Sequence, residues 1–192
     1  MVMGLKPKLQ GYHQEVRLLD GKKVVLRLIT SNDKKALTEF YSRVSNESRF
    51  YRYHYSKGEL SEDDLANFCD VDYQDSLGMV AEQEHEGQKE IIGVARFYRL
   101  PTNIHMAEIA ILVQDSEQRK GLGTSLLKYL AKLAWELDIY FFSGEVLREN
   151  SRLLSICRKS DPEMNVLADG ESTCAITLSV EEMMHKTPNL CQ

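Results

Sequence analysis

The stretch from residue 105 to residue 137 constrains the fold more than any other part of this sequence. Residues 105–114 are rich in apolar and β-branched side chains and predict a strand. Gly121 and Gly123 then introduce an amphipathic helix, whose apolar face is formed by Leu122, Leu126, Leu130, Leu133, Ala134 and Leu137. A strand, a glycine loop and a helix in this order predict a crossover unit, where we expect the chemistry to lie.

Capping and turn signals predict two helices before this unit. A β-branched strand is expected at residues 24–29, and Ser31 or Asn32 is expected to cap a helix with four apolar positions, Ala36, Leu37, Phe40 and Val44. Ser61 and Asp64 have the spacing of a capping box, which predicts that a second helix begins there.

The remaining elements are predicted from apolar runs separated by glycine, proline and polar turns. The expected elements are strands at 77–82 and 90–100 around a polar loop at 84–89, a strand at 139–147, a helix at 151–159 ended by Pro162, and two strands within 164–180 around Asp169 and Gly170. The order β-α-α-β-β-β-α-β-α-β-β predicts a mixed α/β fold. We expect one domain over residues 1–192, with its core at about 22–180.

The composition is typical of a globular protein and excludes several classes. The 192 residues are 43% hydrophobic and 28% charged. The apolar runs are far shorter than the roughly 20 residues of a membrane span, and the polar N-terminus lacks a signal-peptide core. These features predict a cytoplasmic protein without membrane contact. The net charge of -5 argues against nucleic-acid binding and suits cationic amine substrates.

The cysteines and histidines do not indicate a metal site. Cys69, Cys157, Cys174 and Cys191 form no Cys-x-x-Cys pair, which argues against a disulfide framework or a four-thiolate zinc site. The five histidines are scattered and form no H-E-x-x-H pattern. We therefore expect reduced thiols and no metal cofactor.

The loop at residues 118–124 lies between a predicted strand and a predicted helix. Backbone N–H groups at such a junction, together with the helix dipole, can bind an anionic phosphate, and glycines permit its close approach. The pattern is neither a P-loop nor a dinucleotide-binding fingerprint. An ordinary strand-to-helix turn is the alternative explanation of the two glycines.

Residues 118–123 resemble the Q/R-x-x-G-x-G/A pyrophosphate loop of the GNAT superfamily of N-acetyltransferases, and residues 111–113 resemble the strand before it. The resemblance covers about residues 24–180. It implies a GNAT fold, with a mostly antiparallel sheet flanked by helices, and acetyl-CoA as co-substrate. The implied donor-binding residues are Ile111, Leu112, Val113, Gln118, Arg119, Lys120, Gly121, Leu122, Gly123, Thr124 and Asn150. Asn150 would lie near the pantetheine arm, but it is equally suited to cap the next helix.

A narrower resemblance concerns the acceptor. The segments that carry it are residues 48–53, Asp70, residues 92–95, Ala107 with Glu108, and Leu147 with Glu149 and Asn150. They are similar to the acetyltransferase domain of bacterial protein-lysine acetyltransferases that act on acyl-CoA synthetases. This implies a protein lysine on a synthetase as acceptor, while a small amine or a peptide N-terminus would fit the same fold. The sequence indicates no oligomeric state.

Glu108 is the candidate general base. It projects from the strand face opposite Ala107 and Ile109, just before the loop. An alkyl amine with a pKa near 10.4 is almost fully protonated at neutral pH, so its attack requires a proton acceptor. The resemblance implies that role for Glu108, and a solvent-facing or ion-paired glutamate is the alternative. The implied reaction is direct attack on the thioester, with a backbone N–H near Val113 stabilising the oxyanion.

Two departures from the resembled pattern favour an alternative function, a noncatalytic acyl-CoA-binding regulator. Cys157 stands near the position where many GNAT enzymes have a tyrosine acid. Residues 160–162 read Ser-Asp-Pro where Leu-Gly-Phe is usual, which puts the geometry of the last hairpin in question. The aromatic and basic residues 49–55 are expected either to line the acceptor cleft or to pack helices onto the sheet.

Overall fold

A computed structural model describes Leu9 and residues 11–185. Within this part of the chain, eight strands form one sheet in the order β1-β2-β3-β4-β5-β6-β8-β7. The strands are β1 His13–Arg17, β2 Lys23–Leu28, β3 Ser76–His85, β4 Gln88–Leu100, β5 Asn103–Val113, β6 Phe141–Leu147, β7 Asn165–Ala168 and β8 Thr173–Ser179. Neighbours are antiparallel except β5 and β6, which are parallel and joined by a helical crossover.

Helices cover both faces of the sheet and divide the core in two. They are α1 Lys34–Ser42, α2 Asn46–Tyr53, α3 Glu62–Cys69, α4 Leu122–Trp135, α5 Ser151–Ser160 and α6 Val180–His185. The larger core lies under α4 and includes Leu126 and Phe142, and the smaller one joins Phe40 of α1 and Leu65 of α3 to Val80. Because strand side chains alternate, β5 contributes to both cores.

The mixed α/β class, the central crossover and the capping box of Ser61 and Asp64 are confirmed. The predicted cap of the first helix is wrong. Thr30 and Asp33 form a capping box around a 3-10 turn at Ser31–Asp33, and α1 begins only at Lys34. The Asp33 carboxylate also accepts two hydrogen bonds from the guanidinium of Arg27, at 2.7 and 2.8 Å. This ion pair, formed with a strand residue, fixes where the helix starts.

Three elements were not predicted, namely β1, α2 and α6. In β1 one of five residues is buried, and in α2 the single buried residue is Ser48, so neither has an apolar stripe. Helix α6 has six residues, too few for a periodicity. The predicted loop at 84–89 is in fact a two-residue turn at Glu86 and Gly87, which both have positive φ and let the strands extend to the turn.

The Ser-Asp-Pro segment at the end of α5 anchors the last hairpin. The buried carboxylate of Asp161 accepts hydrogen bonds from the N–H of Ser179, at 2.7 Å, and from that of Glu163, at 3.1 Å. Asp161, which stands in the Ser-Asp-Pro segment where Leu-Gly-Phe is usual, therefore connects the end of α5 to β8. The hairpin of β7 and β8 is formed and pairs with β6.

Cys69, Cys157 and Cys174 are free and buried, and Cys191 lies outside the described residues. Residues 1–8, 10 and 186–192 of the predicted domain also lie outside the described residues. Among the helices that the structure describes, none is long and apolar enough to cross a membrane.

Replacing Leu126 by alanine is expected to destabilise the fold strongly. The Leu126 side chain is 0% exposed and joins α4 to the sheet. The lost contacts and the resulting cavity should lower the free energy of unfolding by about 2–5 kcal/mol, measured by urea denaturation. Leu167→Ala is the matched control, because this leucine is 61% exposed. Its change should stay within about 0.5 kcal/mol, and equal losses in both variants would contradict this view of the core.

Candidate active site

The two parallel strands at the centre of the sheet separate after a short paired stretch. Their pairing joins Met106, Ala107 and Glu108 to Phe141, Phe142 and Ser143. Beyond it, β5 continues along β4 to Val113, while β6 continues along β8 to Leu147. The resulting gap holds a cavity of about 1000 Å³. We call it the cleft.

The edge of β5 presents backbone groups to the cleft. The N–H of Gln114 donates to the carbonyl of Ile92 in β4, at 3.0 Å. Since successive residues of a strand direct their backbone groups to opposite sides, Leu112 also faces β4, whereas Ile111 and Val113 face the cleft. Their N–H groups lie beyond the stretch paired with β6. An extended ligand with amide groups can pair with this edge as a strand would.

The N-terminus of α4 opens onto one end of the cleft. Gly121 is its N-cap with φ 86°, a left-handed conformation that favours glycine. The first N–H groups of a helix lack intrahelical partners and carry a partial positive charge. A Cβ added to Gly123 would lie 3.0 Å from Cδ1 of Ile156, so this glycine lets α5 pack against the start of α4. The junction therefore presents unpaired N–H groups that can bind an anion, and we call it the anion site.

Basic side chains lie beside the same end of the cleft. Arg119 precedes α4 and Arg152 is at the start of α5, while Lys159 lines the cleft further along α5. Arg152 donates to Oε1 of Gln118 at 2.9 Å, and Nε2 of Gln118 donates to the carbonyl of Val113 at 3.2 Å. These cations add to the helix dipole, so this end suits a ligand with several phosphate groups.

A polar network fixes the loop before α4. Oδ1 of Asp115 accepts hydrogen bonds from the hydroxyls of Ser45 and Ser48, both at 2.8 Å, and Oδ2 accepts one from the N–H of Ser45. Ser48 in turn accepts one from Gln118. Burial acts to raise the pKa of Asp115, but the hydrogen bonds outweigh it and hold the pKa below its usual value. The network connects the start of α2 to the anion site.

Carboxylates and aromatic residues lie at the other end of the cleft. Glu108 and Glu145 project from the same face of β5 and β6, the face that carries α1 to α3. Oε1 of Glu145 lies 3.8 Å from Nδ1 of His54, which ends α2 in a left-handed conformation with φ 61°. Tyr51, Arg52 and Tyr53 complete this wall, and Arg52 is close enough to Glu108 for the two charges to interact. The cleft thus joins a cationic end to one that carries two carboxylates and one guanidinium, which we call the carboxylate end.

The aromatic and basic segment at 49–55 lines the cleft and also packs against α1. Its C-terminal half lines the cleft, whereas Arg49 donates to the carbonyls of Val44 and Tyr41 and packs over the ring of Tyr41. Tyr53 contacts Tyr41 edge to face. One short helix therefore forms a wall of the cleft and is held on α1 by its own first turns.

Between the two ends, the cleft is apolar. Its walls include Ile109, Val146, Leu153 and Ile176, together with Cys157. Burial raises the pKa of the Cys157 thiol to about 12, so it stays neutral at physiological pH. A thiol this weakly acidic is poorly suited to protonate a thiolate whose conjugate acid has a pKa near 8.5.

The structure brings most of the predicted site residues together. The cleft is lined by Glu108, Ile111, Val113, Gln118, Arg119, Gly121, Gly123, Thr124 and Asn150. Leu112 and Leu122 instead point into the core, and Lys120 forms ion pairs with Glu117, at 3.1 Å, and Asp20, at 3.3 Å. Their side chains do not line the cleft, because strand pleat, helix phase and local acidic partners direct them elsewhere.

Asn150 caps the N-terminus of α5, one of the two roles expected for it. Its Oδ1 accepts a hydrogen bond from the N–H of Leu153 at 3.1 Å. Sequence reasoning missed Gly144, Glu145, Arg152 and Lys159 as cleft residues. The alternation that exposes Glu108 on β5 also applies to Glu145 on β6 and was available as a signal.

No group of three or more histidine, cysteine, aspartate or glutamate side chains in the described part of the chain is arranged to hold a metal ion.

The comparison with known families identifies the protein class. The family described as the acetyltransferase (GNAT) domain matches residues 23–161. The chain belongs to the GNAT acetyltransferase family. The expected GNAT fold is thereby confirmed, with β5, α4 and β6 as the crossover at its centre.

Three relatives illustrate the range of similarity. Acetyltransferase PA5475 of Pseudomonas aeruginosa is 29% identical over 125 residues, which are 65% of this GNAT chain and 67% of the relative. The GNAT domain of PAT from S. lividans is 29% identical with a TM-score of 0.79, covering 87% of this chain and 96% of that one. The structure of yncA from Salmonella typhimurium with its cofactor acetyl-CoA is 17% identical with a TM-score of 0.64, over 82% and 94% of the chains. At that identity the likeness concerns the fold.

Asp115→Asn should destabilise the protein in a pH-dependent way. Because the pKa of Asp115 is lower in the folded than in the unfolded chain, its contribution is complete above the unfolded value near 3.9 and disappears as the pH falls through the folded value. Urea denaturation at pH 7 should show a loss of about 1 kcal/mol, since the carboxylate is partly exposed. The difference between wild type and variant should shrink below pH 4, and a constant difference would contradict the assignment.

Proposed function

We propose that this protein transfers an acetyl group from acetyl-CoA to an amine, with Glu108 as the general base and a protein lysine as the acceptor. The observation that carries the proposal is the continuous cleft, which joins the cationic N-terminus of α4 to Glu108 through the gap between β5 and β6. A GNAT protein determined with acetyl-CoA supports the choice of donor.

The residues present fit each part of the donor. The pyrophosphate would bind the N–H groups at the start of α4, with Arg119, Arg152 and Lys159 beside it. The pantetheine arm carries two amide bonds and would extend along the edge of β5. From Val113 back to Glu108 the strand covers roughly 17 Å, at about 3.3 Å per residue, so the end of the arm and the acceptor amine can both lie along it. The thioester would then lie beside Ile111, between Val113 and Glu108.

The carboxylate end of the cleft fits a cationic acceptor, because Glu145 and Glu108 outnumber the one guanidinium of Arg52. A lysine ammonium entering beside α2 would meet Glu108 and Glu145. Glu108 would accept a proton from the amine, directly or through water, and the neutral nitrogen would attack the thioester carbon. The motif resemblance supports a lysine on an acyl-CoA synthetase as the acceptor, and the two carboxylates favour a positively charged side chain over a neutral group.

The remaining steps require no further protein acid. The oxyanion of the tetrahedral intermediate would accept a hydrogen bond from the cleft-facing N–H of Ile111. Collapse of the intermediate breaks the carbon–sulfur bond and releases CoA thiolate. The nitrogen loses its second proton at the same stage, and through water this proton converts the thiolate to the thiol. A thiol pKa near 8.5 makes this group a tolerable leaving group, consistent with the buried, neutral state of Cys157.

Glu108→Gln tests the proposed base. The substitution keeps the size of the side chain but cannot accept a proton, so kcat should fall by about 10²–10⁴-fold. The measurement is CoA-thiol release from acetyl-CoA with a panel of acyl-CoA synthetases, lysine peptides and small amines. Glu84→Gln, at the exposed end of β3, is the control and should retain full turnover. Tight acetyl-CoA binding with no turnover on any acceptor would favour the regulator alternative.

Removing the basic groups of α5 tests the donor site. Arg152→Ala and Lys159→Ala should each weaken acetyl-CoA binding by about fivefold to tenfold, because each removes a cation beside the phosphates. Raising the salt concentration should reduce the effect. Arg158→Ala is the matched control, since Arg158 is exposed on the same helix but does not line the cleft. Equal effects of all three, measured by calorimetry, would rule out a local phosphate site.

A further inference from the structure

Gly144 stands where the gap between β5 and β6 opens. It follows Ser143, the last residue of β6 that pairs with β5. On the side away from β5, Gly144 pairs with Ile176 of β8. The residue lines the cleft at its narrow end, which we call the apex.

The backbone does not require glycine at this position. Gly144 lies inside a strand and lacks the positive φ of Gly121 or Gly170. Glycine in a strand interior weakens the strand by roughly 0.5–1 kcal/mol relative to alanine. Its presence is better explained by a close approach of another group.

The space beside Gly144 has the size of one methyl group. A Cβ built there would lie 3.7 Å from Cγ1 of Ile176, 3.8 Å from the carbonyl oxygen of Ile109 and 3.9 Å from its Cγ1. These are ordinary van der Waals distances, so a methyl would fit without displacing its neighbours. Glycine therefore leaves the apex wider by one methyl group, and alanine would fill that space.

The walls around this space suit an alkyl chain. They are formed by Ile109, Val146, Leu153, Cys157 and Ile176, and Cys157 is a neutral thiol. The charged groups of the cleft lie at its two ends, with Glu108 and Glu145 on the opposite face of the sheet. An acyl chain whose thioester lies beside Ile111 would point toward the apex.

We propose that Gly144 determines the acyl-chain length that the donor site accepts, and that the apex admits propionyl as well as acetyl. This inference rests on the proposed donor position. The additional methylene of propionyl would occupy the space that a Cβ at residue 144 would take. The reaction balance is that of acetyl transfer. A carbon–nitrogen bond forms and the carbon–sulfur bond breaks, one proton of the ammonium passes to Glu108, and the second passes through water to the departing CoA thiolate.

The test compares acetyl-CoA and propionyl-CoA in wild type, Gly144→Ala and Gly58→Ala. Gly58 is the matched control, because a Cβ there meets no atom within 4 Å and the residue does not line the cleft. Wild type and Gly58→Ala should use the two donors with kcat/KM values within about tenfold of each other. Gly144→Ala should lower the propionyl-to-acetyl ratio of kcat/KM by about tenfold or more relative to both, the usual effect of one methylene in a tight pocket.

Stability and binding measurements keep the outcomes distinct. Gly144→Ala should unfold at the same or a higher urea concentration than wild type, so loss of propionyl transfer cannot be attributed to misfolding. An unchanged donor ratio in Gly144→Ala, or a wild type that uses acetyl-CoA and rejects propionyl-CoA, would overturn the inference. Absence of turnover with both donors would instead count against the proposed function. The relative affinities of the two donors, measured by calorimetry, would then decide the role of Gly144.

Discussion

The separation of β5 from β6 is the constraint on which the rest of the site depends. Two parallel strands that paired along their full length would leave no room at the centre of the sheet. Here β5 is held by β4 and β6 by β8, so each strand keeps a complete ladder on its outer side. The inner edges can therefore diverge after Glu108 and Ser143 without unfolding either strand. The edge left open at Ile111 and Val113 can pair with an extended ligand.

The gap also divides the chemistry between the two faces of the sheet. Helices α4 and α5 close one face and supply a helix N-terminus with arginine and lysine side chains, which is an environment for phosphates. Helix α2 borders the other face and places His54 beside Glu145, with Glu108 on the neighbouring strand. The proposed donor and acceptor would thus approach from opposite faces of the sheet.

Hydrogen bonds connect these two halves. Asp115 holds Ser45 and Ser48 at the start of α2, and Ser48 accepts a hydrogen bond from Gln118, which also contacts β5 and Arg152 of α5. The motif glutamine therefore acts here as a structural link between a strand and two helices. In the same way, the buried Asp161 keeps the last hairpin in place although its segment departs from the usual pattern.

The sequence by itself determined the mixed α/β class, the central crossover, the glycine loop and the position of Glu108 on a strand face, because periodicity, capping and turn chemistry are local. Tertiary structure decided what those signals do not encode. Helix α2 has no apolar stripe. It is held by the hydrogen bonds of Ser45 and Ser48 to Asp115 and by the contacts of Arg49 and Tyr53 with Tyr41 of α1. These partners lie outside α2, so its local sequence pattern does not predict them. Lys120 belongs to the motif, yet Asp20 and Glu117 direct it away from the cleft. The width of the apex at Gly144 depends on where β5 and β8 place Ile109 and Ile176, which is a distance between three strands and not a property of any one of them.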